Sequence, residues 1–392
     1  MLQKSLRAAL RFLTESAIIR DNTPPGKHSE EFKYTHWNGA LRGEYALAHG
    51  QWDTFCPVWH TGQAIKALCL AAQALHDSTL LEYGRECAAF LLANQLHQGE
   101  DAGLLLAFED DPQMVNTSAV LEALDGLFML SDMVGDPAYE RAALDAAAWV
   151  ARKAWLPDEG KFQDTYDIHS RSFKVLADLP NASRPLLDDC IFYRCYLRTG
   201  NTVYRDIALA TAETLLKDEA PEGNWIKYHP CIKATGSIHP RHAFWWGKPM
   251  AELFRQTGDE RYREIFFRAV KWYENAVRRD GGLFRGTYQD FCTDSFGHAT
   301  SGSACAALCF MERAKFGEAD HFMALAEKCL DFCRAMQLTA PDDPALTGVI
   351  IEKVMPPDGT GRNPYYIREL GTVFFIQAAA VYIMQTREKT ER

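Results

Sequence analysis

Helices of two kinds alternate along the chain. One kind is apolar on nearly every face, as in AIKALCLAAQAL and GTVFFIQAAAVYIM, and a helix without a polar face must be buried on all sides. The other kind carries a polar stripe, as in RYREIFFRAVKWYENAVRR, and covers the first kind. We predict that the apolar helices begin near His60, Val115, Pro185, His242, Ala299 and Tyr365, and the amphipathic helices near Thr79, Pro137, Asn201, Asp259 and Asp320.

A turn phrase recurs between the two kinds of helix, as LHDSTLLEY, MVGDPAY, RTGNTVY and QTGDERY. In most copies a glycine ends the apolar helix, and in all of them a polar residue able to cap the next helix follows. A repeat of this kind indicates stacked helical hairpins. With the N-terminal helix as the sixth outer member, the sequence predicts an all-α, (α/α)6 barrel formed by one domain over residues 1–392. An open superhelical stack of the same hairpins is the alternative.

The connections from outer to inner helices are long, whereas the turns within each hairpin are short. The long connections therefore gather where the inner helices begin, and loops gathered on a rigid scaffold are where binding sites concentrate. Two of them, KFQDTYDIHSRSFKVL and GGLFRGTYQDFC, have the pattern of β-hairpins. The long connections cover residues 97–114, 156–183, 218–240, 280–298 and 339–364.

Composition excludes several classes of protein. The net charge is −10, with 42 Lys and Arg against 52 Asp and Glu and no basic cluster, so a nucleic-acid partner is not expected. The 11 cysteines show no zinc spacing and read as reduced thiols, and no nucleotide-binding motif points to a cofactor. Charges at Lys4, Arg7 and Arg11 interrupt any signal-peptide core, and no apolar run is long enough for a membrane span. We expect a cytoplasmic protein without a metal or cofactor.

The residues that enter the inner helices are rich in aromatic, basic and carboxylate side chains. Asp188 and Asp189 precede the apolar run IFYRCYL. Adjacent carboxylates at a helix N-terminus are often only caps, but burial against such a wall raises a carboxyl pKa and suits a general acid. The other side chains suit the rings, hydroxyls and carboxylates of a saccharide. These candidates are Trp59, His60, Asn116, His239, Arg241, His242, Trp245, Trp246, Lys248, His298 and Arg362.

At these positions the chain resembles the unsaturated glucuronyl and rhamnogalacturonyl hydrolases, which belong to the six-hairpin glycosidases. RPLLDDCIFYRCYLRTGN is similar to their third inner helix, GGLF followed by ATSGSACAAL to their fifth, and RELGTVFFIQAAAVYI to their last. HAFWWGK occupies the place of their tryptophan, glycine and arginine on the fourth. The chain departs from the family at Asn116, where an Asp is usual, at Lys248, which replaces Arg, and at Ala299, which replaces Glu.

The resemblance implies a substrate with a 4,5-unsaturated uronic acid at the non-reducing end of an oligosaccharide. One carboxylic acid protonates the double bond, water adds at the neighbouring carbon, and the hemiketal opens to release the aglycone. The family match places that acid at Asp189, with Asp188 in support. Lys248 and Arg241 would then hold the uronate. The sugar ring would stack on Trp59, Trp245 or Trp246.

Three other functions fit the same barrel. A sugar 2-epimerase of the N-acylglucosamine type needs two histidines, which His239, His242 or His298 can supply. An ordinary six-hairpin glycosidase such as a β-glucuronidase needs two carboxylates, Asp189 with Asp111 or Asp294. A non-catalytic saccharide binder would fit the departure at Asn116.

Overall fold

The computed structural model describes residues 1–23, 31–47, 49–109, 111–174, 183–293, 297–352 and 366–391. Six outer and six inner helices alternate within these ranges. The outer helices are α1 (Leu2–Arg11, continued by a π turn, Phe12–Ala17), α3 (Leu80–Ala93), α5 (Pro137–Lys153), α7 (Thr202–Asp218), α9 (Glu260–Ala276) and α11 (Ala319–Ala335). The inner helices are α2 (Pro57–Leu75), α4 (Thr117–Val134), α6 (Ile191–Thr199), α8 (Lys248–Thr257), α10 (Thr300–Ala314) and α12 (Leu370–Glu391).

The inner helices form a closed ring. Helix α12 packs against both α10 and α2, and α1 packs on α12. The (α/α)6 barrel is therefore confirmed, with the N-terminal helix in its predicted sixth outer position, and the open stack is wrong because it would leave the last helix unpaired with the first. The expected start near Tyr365 lies outside the described residues.

The recurrent turns cap the outer helices as the sequence indicates. The side chains of Asp136, Asn201 and Asp259 accept hydrogen bonds from the backbone N–H two residues on, at 2.9, 3.1 and 3.0 Å. The glycine before each of them adopts a left-handed conformation with φ of 70–73°, which L side chains rarely adopt. Each such turn reverses the chain within two residues, so the inner and outer helices of a pair are antiparallel neighbours.

Helices α2 and α4 approach closely because two glycines face each other. A Cβ atom on Gly62 would lie 2.4 Å from the Ala123 Cα, and one on Gly126 would lie 2.3 Å from the Gly62 carbonyl oxygen. No side chain fits at either position. The close approach brings the polar residues of α2 beside those of α4 on the barrel axis.

Short strands lie in the long connections at the end of the barrel where the inner helices begin, which we call the mouth. Strand β1 (Glu44–Ala46) pairs with β2 (Gln51–Asp53) and β8 (Tyr366–Arg368). The other strands are β3 (Met114–Asn116), β4 (Trp155–Leu156), β5 (Lys161–Phe162), β6 (Thr165–Asp167) and β7 (Ser172–Phe173). Strand β6 pairs with β3 and with β7, and β4 pairs with β5.

The two predicted hairpins have different outcomes. Strands β6 and β7 form the hairpin expected in residues 161–176. Residues 281–292 form no hairpin of their own, because Phe284 and Thr287 instead bridge to His298 and Ile238 in neighbouring segments. These bridges tie together the connections that carry the predicted site residues.

Candidate active site

The two adjacent aspartates lie in a strained turn. Asp188–Cys190 form a 3-10 turn directly before α6 rather than its first α-helical turn. Asp189 and Cys190 both have positive φ angles, 47° and 56°, and such angles cost energy for residues other than glycine. This turn sends the two neighbouring carboxyl groups into different surroundings.

The Asp188 carboxyl is buried at the mouth. Its residue is only 4% exposed, and its Oδ2 atom has no hydrogen-bond partner among the described residues. Burial raises the pKa of Asp188 from 3.8 to about 7; the positive charge of Arg184 opposes the rise and the negative charge of Asp189 adds to it. Asp188 therefore has the properties expected of a carboxylic acid that can donate a proton near neutral pH.

The Asp189 carboxylate belongs to an ion cluster on the barrel axis. It accepts a hydrogen bond from Lys66 Nζ at 2.6 Å, and the same ammonium lies 2.9 Å from Asp125 Oδ2. Asp125 also pairs with Arg194. Burial alone would raise the pKa of Asp125, but Arg194 and Lys66 lower it to about 2. Asp189 is thus engaged in an ion pair, whereas Asp188 Oδ2 has no hydrogen-bond partner among the described residues.

Glu122 on α4 is a site residue that the sequence reasoning missed. Its Oε2 accepts hydrogen bonds from Trp59 Nε1 at 2.8 Å and Trp245 Nε1 at 3.0 Å. Burial, and then the charge of Asp188, raises the pKa of Glu122 well above its usual value, with Arg241 opposing. The segment AVLEALDGLFML could have indicated Glu122, because a charged side chain in a helix without a polar face must find a buried partner.

Arg241 lies between the two tryptophans. Its guanidinium carbon is 5.3 Å from the ring centre of Trp59 and 4.8 Å from that of Trp245, within the range of cation–π attraction. The residue is buried, and its Nε and Nη1 atoms have no acceptor among the described residues. A buried cation with unpaired donors is a strong candidate for binding an anionic group.

Three histidines surround this cluster in neutral form. His239 stacks parallel to Trp245 with ring centres 5.4 Å apart, and its Nδ1 accepts a hydrogen bond from the Arg241 backbone N–H at 3.2 Å. His242 stacks on Trp246 at 4.2 Å, and His60 Nδ1 lies 3.6 Å from a carboxyl oxygen of Glu369. Burial lowers the pKa of His60 and of His242 to about 3 and that of His239 well below its usual value.

The structure thus joins Trp59, Arg241, Trp245 and His239 through ring and cation–π contacts, and the turn that carries Asp188 contacts the π turn that contains Trp245. Other predicted residues lie elsewhere, and Arg362 is outside the described residues. Trp246 is fully buried against Trp225, Tyr228 and His242, with no ring face open to a sugar.

The remaining candidates among the described residues are Lys248, Asn116 and His298. Lys248 is one helical turn further along its helix than Trp245. Its charge acts on Asp125 of the axial cluster and on Glu312 near the end of α10. Asn116 ends β3 at the start of α4. His298 contacts Arg278, with His298 Nδ1 2.8 Å from Arg278 Nη1.

Within the described part of the chain, no group of three or more His, Cys, Asp or Glu side chains is arranged to hold a metal ion. All the cysteines are free, and all but Cys292 are buried. No described helix combines the length and the apolar character needed to cross a membrane.

Comparisons with known proteins establish the fold. No family model and no curated protein sequence matches the chain. An unsaturated glucuronyl hydrolase specific for heparin superposes with a TM-score of 0.70 at 14% identity, over 98% of both chains. One from Bacillus sp. GL1, responsible for the degradation of glycosaminoglycan, gives 0.67 at 16% identity over 97% of this chain and 96% of that one. A sugar epimerase from a ruminal bacterium gives 0.69 at 13% identity over 98% and 99%. The six-hairpin toroid is therefore shared by hydrolases and epimerases alike.

Proposed function

We propose that this protein is a carbohydrate-active hydrolase that removes a 4,5-unsaturated uronic acid from the non-reducing end of oligosaccharides. The observation that carries the proposal is that Arg241 and Asp188 are both buried and both act on Glu122. Among the described residues, two donor atoms of Arg241 have no acceptor and Asp188 Oδ2 has no hydrogen-bond partner. The Asp188 turn contacts the π turn Ala243–Gly247 that follows Arg241, and both residues act electrostatically on Glu122.

The proposed reaction needs one acid and one anion site. Arg241 binds the uronate carboxylate, and Trp59 and Trp245 form the walls against which the sugar ring lies. Asp188 donates its proton to one carbon of the double bond, and water adds to the neighbouring carbon. The resulting hemiketal opens and the aglycone leaves. An acid with a pKa of about 7 holds its proton in half of the molecules near neutral pH, which favours this step.

Asp189 takes a different role from the one that the sequence resemblance gives it. Its ion pair with Lys66 at 2.6 Å favours Asp189 as a positioning residue. The pair holds the strained turn in which the buried Asp188 adjoins Asp189. The proposal therefore assigns proton donation to Asp188 and support to Asp189.

Epimerisation is the second candidate, and a specific observation favours it. His239 and His242 lie with ring centres 5.9 Å apart, and His242 Nε2 and both ring nitrogens of His60 have no hydrogen-bond partner among the described residues. Neutral imidazoles can accept protons, although the low pKa values of His60 and His242 make them weak bases.

One panel of oligosaccharide substrates distinguishes hydration, epimerisation and simple binding. Oligosaccharides released by polysaccharide lyases carry the double bond, and its ultraviolet absorbance disappears on hydration. We expect this loss with the wild type and with Asp158→Asn, an exposed control, and a large decrease in rate with Asp188→Asn. A product of unchanged mass with retained absorbance would establish epimerisation instead. Binding without turnover of any substrate would identify a saccharide binder.

A further inference from the structure

Glu122 occupies an unusual position for a carboxyl group. It lies about one and a half helical turns into α4, the helix whose first residues follow Asn116, and it is 7% exposed. Two indole N–H groups, from Trp59 on α2 and Trp245 before α8, converge on its Oε2 atom. No donor among the described residues reaches the other oxygen, Oε1. One carboxyl oxygen is therefore fixed in place while the other remains available.

Glu122 and Asp188 act on each other. The turn that carries Asp188 packs directly on α4, and the charge of Asp188 is the largest electrostatic cause, after burial, of the raised pKa of Glu122. The other charged groups that act on Glu122 are Arg241, which favours the ionised form, and Glu109, which opposes it. Two carboxyl groups that act on each other in a buried region do not both ionise readily.

We propose that Glu122 is the second catalytic carboxyl of the cleft and that it accepts the proton of the attacking water while Asp188 donates its own. This inference rests on the proposed hydration. Asp188 loses a proton as a C–H bond forms at one carbon of the double bond. Water forms a C–O bond at the other carbon and gives a proton to Glu122. Transfer of that proton from Glu122 to Asp188 then restores the starting state, so no further reactant is needed.

The same contacts would also fit a Glu122 that only positions the two tryptophans. A suitable substitution distinguishes this positioning role from proton transfer. Glu122→Gln keeps an oxygen that accepts both indole hydrogen bonds but cannot take up a proton. Glu264→Gln on α9 is the matched control, because Glu264 is exposed. We expect kcat of Glu122→Gln to fall by ~10²–10⁴, the usual contribution of general acid–base catalysis, with KM nearly unchanged. A variant with wild-type kcat would show that Glu122 serves only as a hydrogen-bond acceptor.

A second measurement needs no substrate and therefore separates failure of this inference from failure of the proposed function. Carboxyl titration by ¹³C NMR should show the midpoint of Glu122 falling in Asp188→Asn, because a neighbouring negative charge has been removed. The midpoint of Asp188 should fall in Glu122→Gln for the same reason. Unchanged midpoints would overturn the carboxyl pair even in an active hydrolase. If the midpoints shift but no unsaturated substrate loses its absorbance, the interaction between the two carboxyl groups is supported. Hydration is then refuted as the reaction of the protein.

Discussion

Replacing Asp188 by Asn should stabilise the protein while it reduces turnover. In the folded protein burial raises the pKa of Asp188 from 3.8 to about 7. Below about pH 3 the carboxyl is largely neutral in both the folded and the unfolded chain, so it contributes little pH dependence. As the pH rises toward 7 the unfolded chain releases the proton while the folded protein retains it. The free energy of unfolding therefore falls over this range. The Asn side chain does not ionise, so the variant does not show this fall in the free energy of unfolding.

The size of the effect follows from the shift. Three pKa units correspond to about 4 kcal/mol at full ionisation, since each unit is worth about 1.36 kcal/mol. An unfolding entropy of about 2.1 cal/mol/K per residue over 392 residues converts this into a Tm increase of about 5 °C. We expect that increase at pH 8 and almost none at pH 4.

Thermal unfolding followed by circular dichroism at pH 4, 6 and 8 tests this reasoning. Asp158→Asn is the control, because Asp158 is exposed in a turn and its replacement should leave Tm unchanged at each pH. An Asp188→Asn variant with the same Tm difference at pH 4 and pH 8 would refute the argument from burial. A lower Tm at pH 8 would mean that the ionised carboxylate is stabilised in the folded protein.

Three further outcomes are expected. Asp189→Asn should lower Tm at pH 7, because Lys66 loses one of its two buried partners and retains only Asp125; an unchanged Tm would argue against the axial ion cluster. Arg241→Met should raise KM for unsaturated uronides at least tenfold, the effect of about 1.4 kcal/mol of lost binding, and an unchanged KM would exclude Arg241 as the carboxylate site. EDTA and mild reductant should leave activity and Tm unaltered. The sequence has no zinc spacing, and burial raises the pKa of thiols such as Cys231 to about 12. A loss of activity or a lower Tm after either treatment would contradict this.

The barrel was predictable because its signals are local and repeated. Asp136, Asn201 and Asp259 each follow a glycine and accept a hydrogen bond from the backbone N–H two residues on, at the start of the next helix. Short stretches of sequence therefore suffice to predict the hairpins. The apolar faces of α2 and α12 then require burial on all sides. Closure of the ring follows from packing six such helices together.

The site was only partly predictable, because its chemistry depends on contacts between distant segments. Sequence alone does not show that Asp189 pairs with Lys66 while Asp188 Oδ2 has no hydrogen-bond partner among the described residues. A backbone turn with positive φ separates the two side chains. Glu122 was missed for a related reason. Its partners, Trp59 and Trp245, are 63 and 123 residues away in the chain. A search for charged residues within apolar helices would have found both Lys66 and Glu122.

The closure of the ring by α12 also determines when the newly synthesised chain stops exposing aggregation-prone apolar surface. Helix α12 covers apolar surface on α2 and α10, and it also receives α1, so contacts between the two ends of the sequence complete the fold. Contacts so far apart in sequence form slowly. Until α12 leaves the ribosome, the finished hairpins expose apolar flanks that invite self-association. Chaperone demand should therefore peak just before α12 is synthesised, and a stop codon ahead of α12 should yield an insoluble product rather than a five-hairpin domain.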